Sequence, residues 1–391
     1  MSFFRDLSLS AVVSGFVVVL VGFTSSAALV FEAARALGAS QAEINSWMWA
    51  LGLGMGVACI LPSLYYRQPV VAAWSTPGAA LIATSAAAMD GLTMPQAIGA
   101  FLVCAVLIII VGATRLFERM MNRIPAAVAS AMLAGVLLRF GMDAFAGART
   151  APALVLAMFA AWLLGRRFWP RFGVVVMLLV GVAMAMIDGT LRWSAVTLDW
   201  ARPVWVTPEF SLAAVIGLAL PLFLVTMASQ NMPGVAVQRA SGYDTPVSPV
   251  ITTTGVINVL VAPFGGFTLN LAAITAAIAM GDEAHADRDK RYTAAVMAGV
   301  FYCLIGLVGA VVGTLFAAFP KELILGLAGL ALIGTIGNGL AAATRDERDR
   351  EAAIVTFLVT ASGVSLAGVG SAFWGLVAGV LAMLVLRWKR D

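Results

Sequence analysis

Two short stretches place residues that could do chemistry inside an otherwise apolar chain. The first, VVAAWSTPGAALIATSA, opens with β-branched Val70 and Val71 and runs through Trp74, Ser75 and Thr76 into Pro77 and Gly78. Ser or Thr as N-cap with Pro at the first helical position is a helix-start signal, here at about residue 77. The second, APFGGFTLNLAAITAAIAMG, breaks at Pro263 and Gly265-Gly266 and looks extended from Phe267 to Leu269. It then offers Asn270 as the cap of a helix continuing to about Met280. A helix that starts in mid-membrane leaves its first N–H groups unpaired, and these are tolerated only where they line a cavity or meet a ligand. Two such half-helices entering from opposite sides would aim two positive dipole ends at one point. That is an anion site built from backbone, worth roughly 0.3–2 kcal/mol per helix end.

Polar side chains add to it. Ser25 and Ser26 lie in the middle of the first apolar run, and Gln230 and Asn231 lie at the corresponding place in a later one, where Pro233 disturbs the helix and frees carbonyl groups. No carboxylate or basic residue sits in the middle of these segments, whereas a cationic substrate would want an acidic partner there. The site therefore suits a small anion with an apolar body. Trp74 and Phe267 either flank an aromatic ring or fill the core. The candidate binding set is Ser25, Ser26, Trp74, Ser75, Thr76, Gly78, Gln230, Asn231, Phe267, Leu269 and Asn270.

The elements that must position these residues follow from composition. Of 391 residues, 61% are apolar and 11% charged, with a mean hydropathy of +0.97. A soluble protein of this length needs about twice that charge to cover its surface. This excludes a soluble globular domain, a disordered chain and a disulfide scaffold. Nucleic-acid binding is excluded too, because the basic balance is only +4. Cys59, Cys104 and Cys303 lie far apart in apolar runs, and His285 is the only histidine, in the charged stretch GDEAHADRDKR. No ligand set for a metal exists and no cofactor is expected.

Hydropathy and chain breakers give fourteen segments, an all-α polytopic membrane protein: about 8–32, 46–65, 70–88, 95–116, 125–146, 151–165, 172–188, 210–236, 249–263, 266–281, 292–318, 321–343, 352–368 and 370–387. The apolar stretch Leu7 to Phe31 is too long for a signal peptide and reads as the first helix. With both termini in the cytoplasm, inside loops carry 18 of the 24 basic residues, as the positive-inside rule requires. Seven segments fall in 1–206 and seven in 207–391. An odd-numbered unit duplicated in tandem inserts its second copy inverted, so the reading is a 7+7 inverted repeat in which segments three and ten are each a short strand plus half-helix. The pairs Gly52/Gly56, Gly309/Gly313 and Gly375/Gly379 read as close helix packing.

At these residues the sequence resembles the BenE-type benzoate/proton symporters of bacterial inner membranes. The resemblance rests on AWSTPGAALIATS (73–85), AMLAGVLLRFG (131–141), LPLFLVTMASQNMPG (220–234), LAAITAAIA (271–279), EAHADRDKR (283–291) and SAFWGLVAG (371–379). More distantly, the layout is similar to that of the nucleobase/ascorbate and SLC26-type transporters. This resemblance implies a core domain over about 8–116 and 210–318, a gate domain over about 125–188 and 321–387, and homodimerisation through the gate. The nucleobase members carry a glutamate where this chain has Gln230, which argues against nucleobase transport.

The resemblance implies secondary transport of benzoate or a related aromatic carboxylate inward across the inner membrane, coupled to protons, with membrane lipid and protons as the other partners. The alternative is an exchanger or channel for inorganic anions. An intramembrane enzyme would need a base beside Ser25 or Ser75, and the sequence places none there. Among acids near a span, Glu32 is the candidate for proton coupling. It follows Ser25 by seven residues, so the two share a helix face within about 20°, with Glu32 roughly 10 Å nearer the outer surface. It is equally placed to pair with Arg35, and the substrate carboxylate itself is the other possible proton carrier.

Overall fold

The computed structural model describes residues 3–89, 92–121, 125–169, 173–191, 201–308, 319–364 and 371–387. Gly309, Gly313 and the remainder of the eleventh segment lie outside the described residues, as do 365–368 of the thirteenth. The chain is mostly helical. The main helices are α1 (Leu9–Ala36), α2 (Gln41–Tyr66), α3 (Thr76–Ala88), α4 (Met94–Ala113), α5 (Ala126–Ala146), α6 (Pro152–Phe168) and α7 (Gly173–Ile187). After them come α8 (Leu212–Ala240), α9 (Val247–Val261), α10 (Ile274–Met280), α11 (Tyr292–Val308), α12 (Lys321–Thr344), α13 (Arg350–Ala361) and α14 (Ser371–Arg387). Strands β1 (Ala72–Trp74) and β2 (Leu269–Leu271) precede α3 and α10. Among the described residues, seven helices are long and apolar enough to cross a membrane by length and composition.

Local chemistry sets the boundaries. Helix α2 begins five residues earlier than hydropathy suggests, because Ser40 and Glu43 form a capping box: the Ser40 N–H donates to Glu43 Oε2 at 2.8 Å and the Glu43 N–H donates to Ser40 Oγ at 3.3 Å. Helix α8 is continuous but widens into π turns at Val215–Ala219 and Met227–Asn231. Each turn ends two residues before a proline, Pro221 and Pro233, whose ring would otherwise clash with the preceding turn. The expected disturbance around Asn231 is therefore a wide turn and not a break.

The helices pack as two groups. In the first, α11 lies along α2 and α1, α9 along α4, and α1 against α3 and α10, with α8 crossing α3 and α4. In the second, α5 packs on α12 and α13, α6 on α7, and α13 on α14. Small residues allow the closest crossings. A Cβ on Gly52 would sit 2.5 Å from the Cα of Gly306, so α2 and α11 touch backbone to backbone. Gly375 and Gly379 give Thr360 and Thr356 the same access to α14. The groups meet where the end of α8 touches α5 and where α12 touches α1 and α10.

Candidate functional site

The site is organised by two strands from distant parts of the chain. β1 and β2 pair antiparallel, with Ala72 opposite Leu271, Ala73 opposite Asn270 and Trp74 opposite Leu269. A two-stranded ribbon has two open edges, and in a membrane protein every backbone group on them must find an internal partner. Four side chains supply partners for Val70, Ala72, Leu269 and the Leu271 N–H. On the β1 edge, Ser63 exchanges two bonds with the backbone of Val70 (3.0 and 3.1 Å), and the Cys59 thiol contacts the N–H and carbonyl of Ala72. On the β2 edge, Asn258 holds both backbone groups of Leu269 (2.8 and 3.1 Å), and Asn231 Oδ1 accepts from the Leu271 N–H at 2.9 Å. Cys59 therefore does more than fill space. Asn231 frames the site and, fully buried, is not among the residues that line its cavity.

Ser75 caps α3 as the sequence predicts: its N–H donates to the Thr268 carbonyl at 3.0 Å, and its Oγ accepts from Gly78 N–H at 3.0 Å. Pro77 has no N–H and Ala79 donates to the Ser75 carbonyl. Among the described residues, no partner of the Thr76 amide completes this first turn. Gly78 serves packing, since a Cβ there would lie 2.9 Å from Leu222 on α8. The second unit departs from expectation. Asn270 is not a cap but the middle residue of β2, and α10 starts four residues later, at Ile274, with no side-chain cap. The reason is pairing: bonding to β1 carries Leu269 to Leu271 through as strand, and the next N–H, that of Ala272, still bonds to Val71. With seven residues, α10 is a short helix whose dipole adds little beside that of α3.

A cavity of about 80 Å³ opens where the two units meet. Four of the candidate residues, Ser26, Trp74, Thr76 and Gln230, line it. Thr275 and Tyr302 also line it, together with apolar Val21, Met55, Phe140 and Ile274. Nothing local in the sequence marks these, because each is an ordinary helix residue brought in by tertiary packing. The Trp74 indole N–H donates to Ser26 Oγ at 2.8 Å, and its ring meets Phe23 edge-on at 5.3 Å. The Tyr302 hydroxyl, on a residue 1% exposed, lies beside Gly22 with no hydrogen-bond partner. Gln230, Ala273 and Ile274 also line a larger vestibule of about 320 Å³ between the helix groups, in which Arg139 is the charged residue.

Other candidates fall elsewhere. Phe267 is fully buried against Trp47 (5.9 Å) and Phe101 (6.2 Å), part of an aromatic cluster away from the cavity. Leu269 is core, and the Asn270 side chain reaches only the Thr268 carbonyl, at 3.4 Å. The side chain of Ser25 lies outside the described residues. Glu32 is exposed on the last turn of α1, as is Arg35. Among the described residues, no cluster of three His, Cys, Asp or Glu side chains could hold a metal.

Alignment with the transmembrane domain of a cyanobacterial bicarbonate transporter, BicA, gives a TM-score of 0.46 at 15% identity over 98% of this chain and 97% of that one. Murine Slc26a9, an anion transporter in its inward-facing state, gives 0.46 at 11% identity over 98% and 69%. In sequence, the chain is 48% identical to the inner membrane protein YdcO of Escherichia coli K12, covering 97% of this chain and 96% of that protein. It is 38% identical to the benzoate membrane transport protein of Acinetobacter baylyi, over 98% and 96%. The family described as benzoate membrane transport protein, BenE, matches residues 5–385. The molecule is thus a membrane transporter and not an enzyme. The chain belongs to the BenE family.

Proposed function

We propose that the protein imports benzoate or a related aromatic carboxylate across a bacterial inner membrane, coupled to protons, and that the cavity between the two strand–helix units is its substrate site. One observation carries this reading. The cavity has apolar and aromatic walls, Trp74, Met55, Phe140 and Ile274, and its lining holds hydroxyl, amide and indole groups but no carboxylate. Such a lining suits an aromatic ring bearing one negative charge. Ser26, Trp74, Thr76, Gln230, Thr275 and Tyr302 are the proposed contacts, with Ser75, Gly78, Asn231, Leu269 and Asn270 holding the frame. Kinship with a protein described as a benzoate transporter supports the substrate class, and kinship with an inner membrane protein supports the location.

In this reading the chain makes fourteen spans as a 7+7 inverted repeat with both termini cytoplasmic, and the antiparallel strand pair joins one repeat to the other. The first helix group is the core and the second the gate. Transport moves the core, with its substrate, against the gate, and two copies associate through the gate helices. The test is uptake of labelled benzoate into proteoliposomes with an imposed pH gradient. Accumulation that depends on the gradient, and that benzoate but not chloride, bicarbonate or sulfate competes away, is the expected result. No uptake above empty vesicles in either gradient direction overturns the reading; competition by inorganic anions would replace it with anion exchange.

A further inference from the structure

A second feature bridges the two helix groups, away from the cavity. Glu283 lies in the loop 281–291 that joins α10 to α11, and the Asp6–Tyr292 hydrogen bond of 2.9 Å places the N-terminal turn beside this loop. Despite its charge, Glu283 is only 7% exposed. Its Oε1 accepts from Arg166 Nη1 at 2.9 Å, and Arg166 comes from the last turn of α6 in the other group. Its Oε2 is buried without a partner against the start of α7, where a Cβ on Gly173 would stand 3.1 Å away. A cavity of about 140 Å³ separates the groups here, lined among others by Arg166, Glu283, Leu133 and Asn338.

We propose that Arg166 and Glu283 form the gate between the two helix groups on the face bearing the N-terminus, and that Glu283 takes up a proton when this gate closes and gives it to water when it opens. This rests on the alternating-access reading above. The carboxyl's surroundings set the direction. Arg166 faces it from α6, and Asp282 stands beside it in its own loop. Arg291, the last residue of the loop, is already engaged by Asp282 and by the carbonyls of Met280 and His285. Among the described residues, the neighbours from α7, α8, α5 and α12 are uncharged: Gly173, Ala240, Leu133 and Asn338. Among the described residues one cation, Arg166, thus opposes burial, a neighbouring acid and an unpaired oxygen. Burial prevails and holds the carboxyl above its ordinary range, with Arg166 pulling it down and Asp282 adding to the rise.

The sign follows by linkage. The closed gate binds the proton more tightly than an open, solvated one, so acid on this side favours closure and rising pH favours opening. Only the O–H bond of Glu283 breaks on opening, and the proton goes to water. A carrier that brings protons inward then restrains itself as the compartment on this face acidifies.

The test needs no substrate. Leu133→Cys places a thiol on the gate cavity wall of the full-length protein, and its rate of maleimide labelling is normalised to that of Ala286→Cys on the exposed loop. In the otherwise wild-type protein the ratio should rise about tenfold from pH 5 to pH 8. In Glu283→Gln, which mimics the protonated acid, it should stay low and flat. In Arg166→Gln the rise should move to higher pH. A ratio independent of pH in the wild-type background, or the same pH profile with and without Glu283→Gln, overturns the proposal. If Glu283→Gln is not monodisperse, the Arg166→Gln profile decides alone. Because no benzoate is present, a failed gate and a failed substrate assignment are told apart.

Discussion

The indole of Trp74 donates to the hydroxyl of Ser26 at 2.8 Å, and that hydroxyl donates onward to the Gly22 carbonyl at 3.1 Å. Two bonds in series fix the end of β1 against the middle of α1 and set one wall of the cavity. Ser26→Ala leaves the indole N–H of a residue 4% exposed without its partner, a cost of about 1–3 kcal/mol. A lower melting temperature and roughly tenfold weaker benzoate binding are expected, measured by thermal unfolding and calorimetry in detergent. Unchanged values for both would remove the pair from the site.

Gln230 lines both the inner cavity and the vestibule, on the second π turn of α8. Gln230→Glu puts a negative charge where an anionic substrate must pass. Affinity at neutral pH should fall by more than about tenfold and recover on acidification, as the new carboxyl is neutralised. Gln230→Ala should weaken binding with no such recovery. Binding curves at several pH values distinguish the two, and equal pH dependence would refute the assignment.

Neighbouring asparagines around β2 should behave differently. Asn258→Ala strands the N–H and carbonyl of Leu269 on the ribbon edge, costing roughly 2–5 kcal/mol and much of the folded yield. Asn270→Leu removes an amide with one long bond and an unpartnered oxygen, so stability should stay within about 1 kcal/mol and affinity should not change. Yield, melting temperature and benzoate binding of the two variants check this. A reversed order would mean that Asn270 touches substrate.

Glu32 stands exposed on the last turn of α1. Glu32→Gln should leave gradient-driven accumulation and its pH profile as in the parent protein. Loss of accumulation in the folded variant would return Glu32 to the coupling mechanism.

The sequence revealed what is local. Ser75, Thr76 and Pro77 announce the start of α3 because capping depends on three adjacent residues, and long apolar runs announce the helices. The start of α10 is not legible locally, because Asn270 is as good a cap as a strand residue and only Ala73, far away in sequence, decides between them. The edge partners Ser63, Cys59 and Asn258 were hidden for the same reason: each is an unremarkable residue in a helix until a strand is laid beside it. Glu283 sits in a stretch dense in charge and reads as a solvated loop acid, since burial by α6 and α7 leaves no local trace.

The strand pair also has a consequence in time. Ala72 and Leu271 are separated by nearly 200 residues, and synthesis at about 5–20 residues per second puts roughly 10–40 s between them. Throughout that interval the newly inserted first half holds β1 with Ser63 and Cys59 on one edge and nothing on the other. The nascent chain must keep that edge from a wrong partner, whether another copy or the insertion machinery itself, until β2 arrives. Assembly of the substrate site is thus one of the later events in the protein's biogenesis. Truncations ending before residue 271 should accumulate as inserted but protease-sensitive chains.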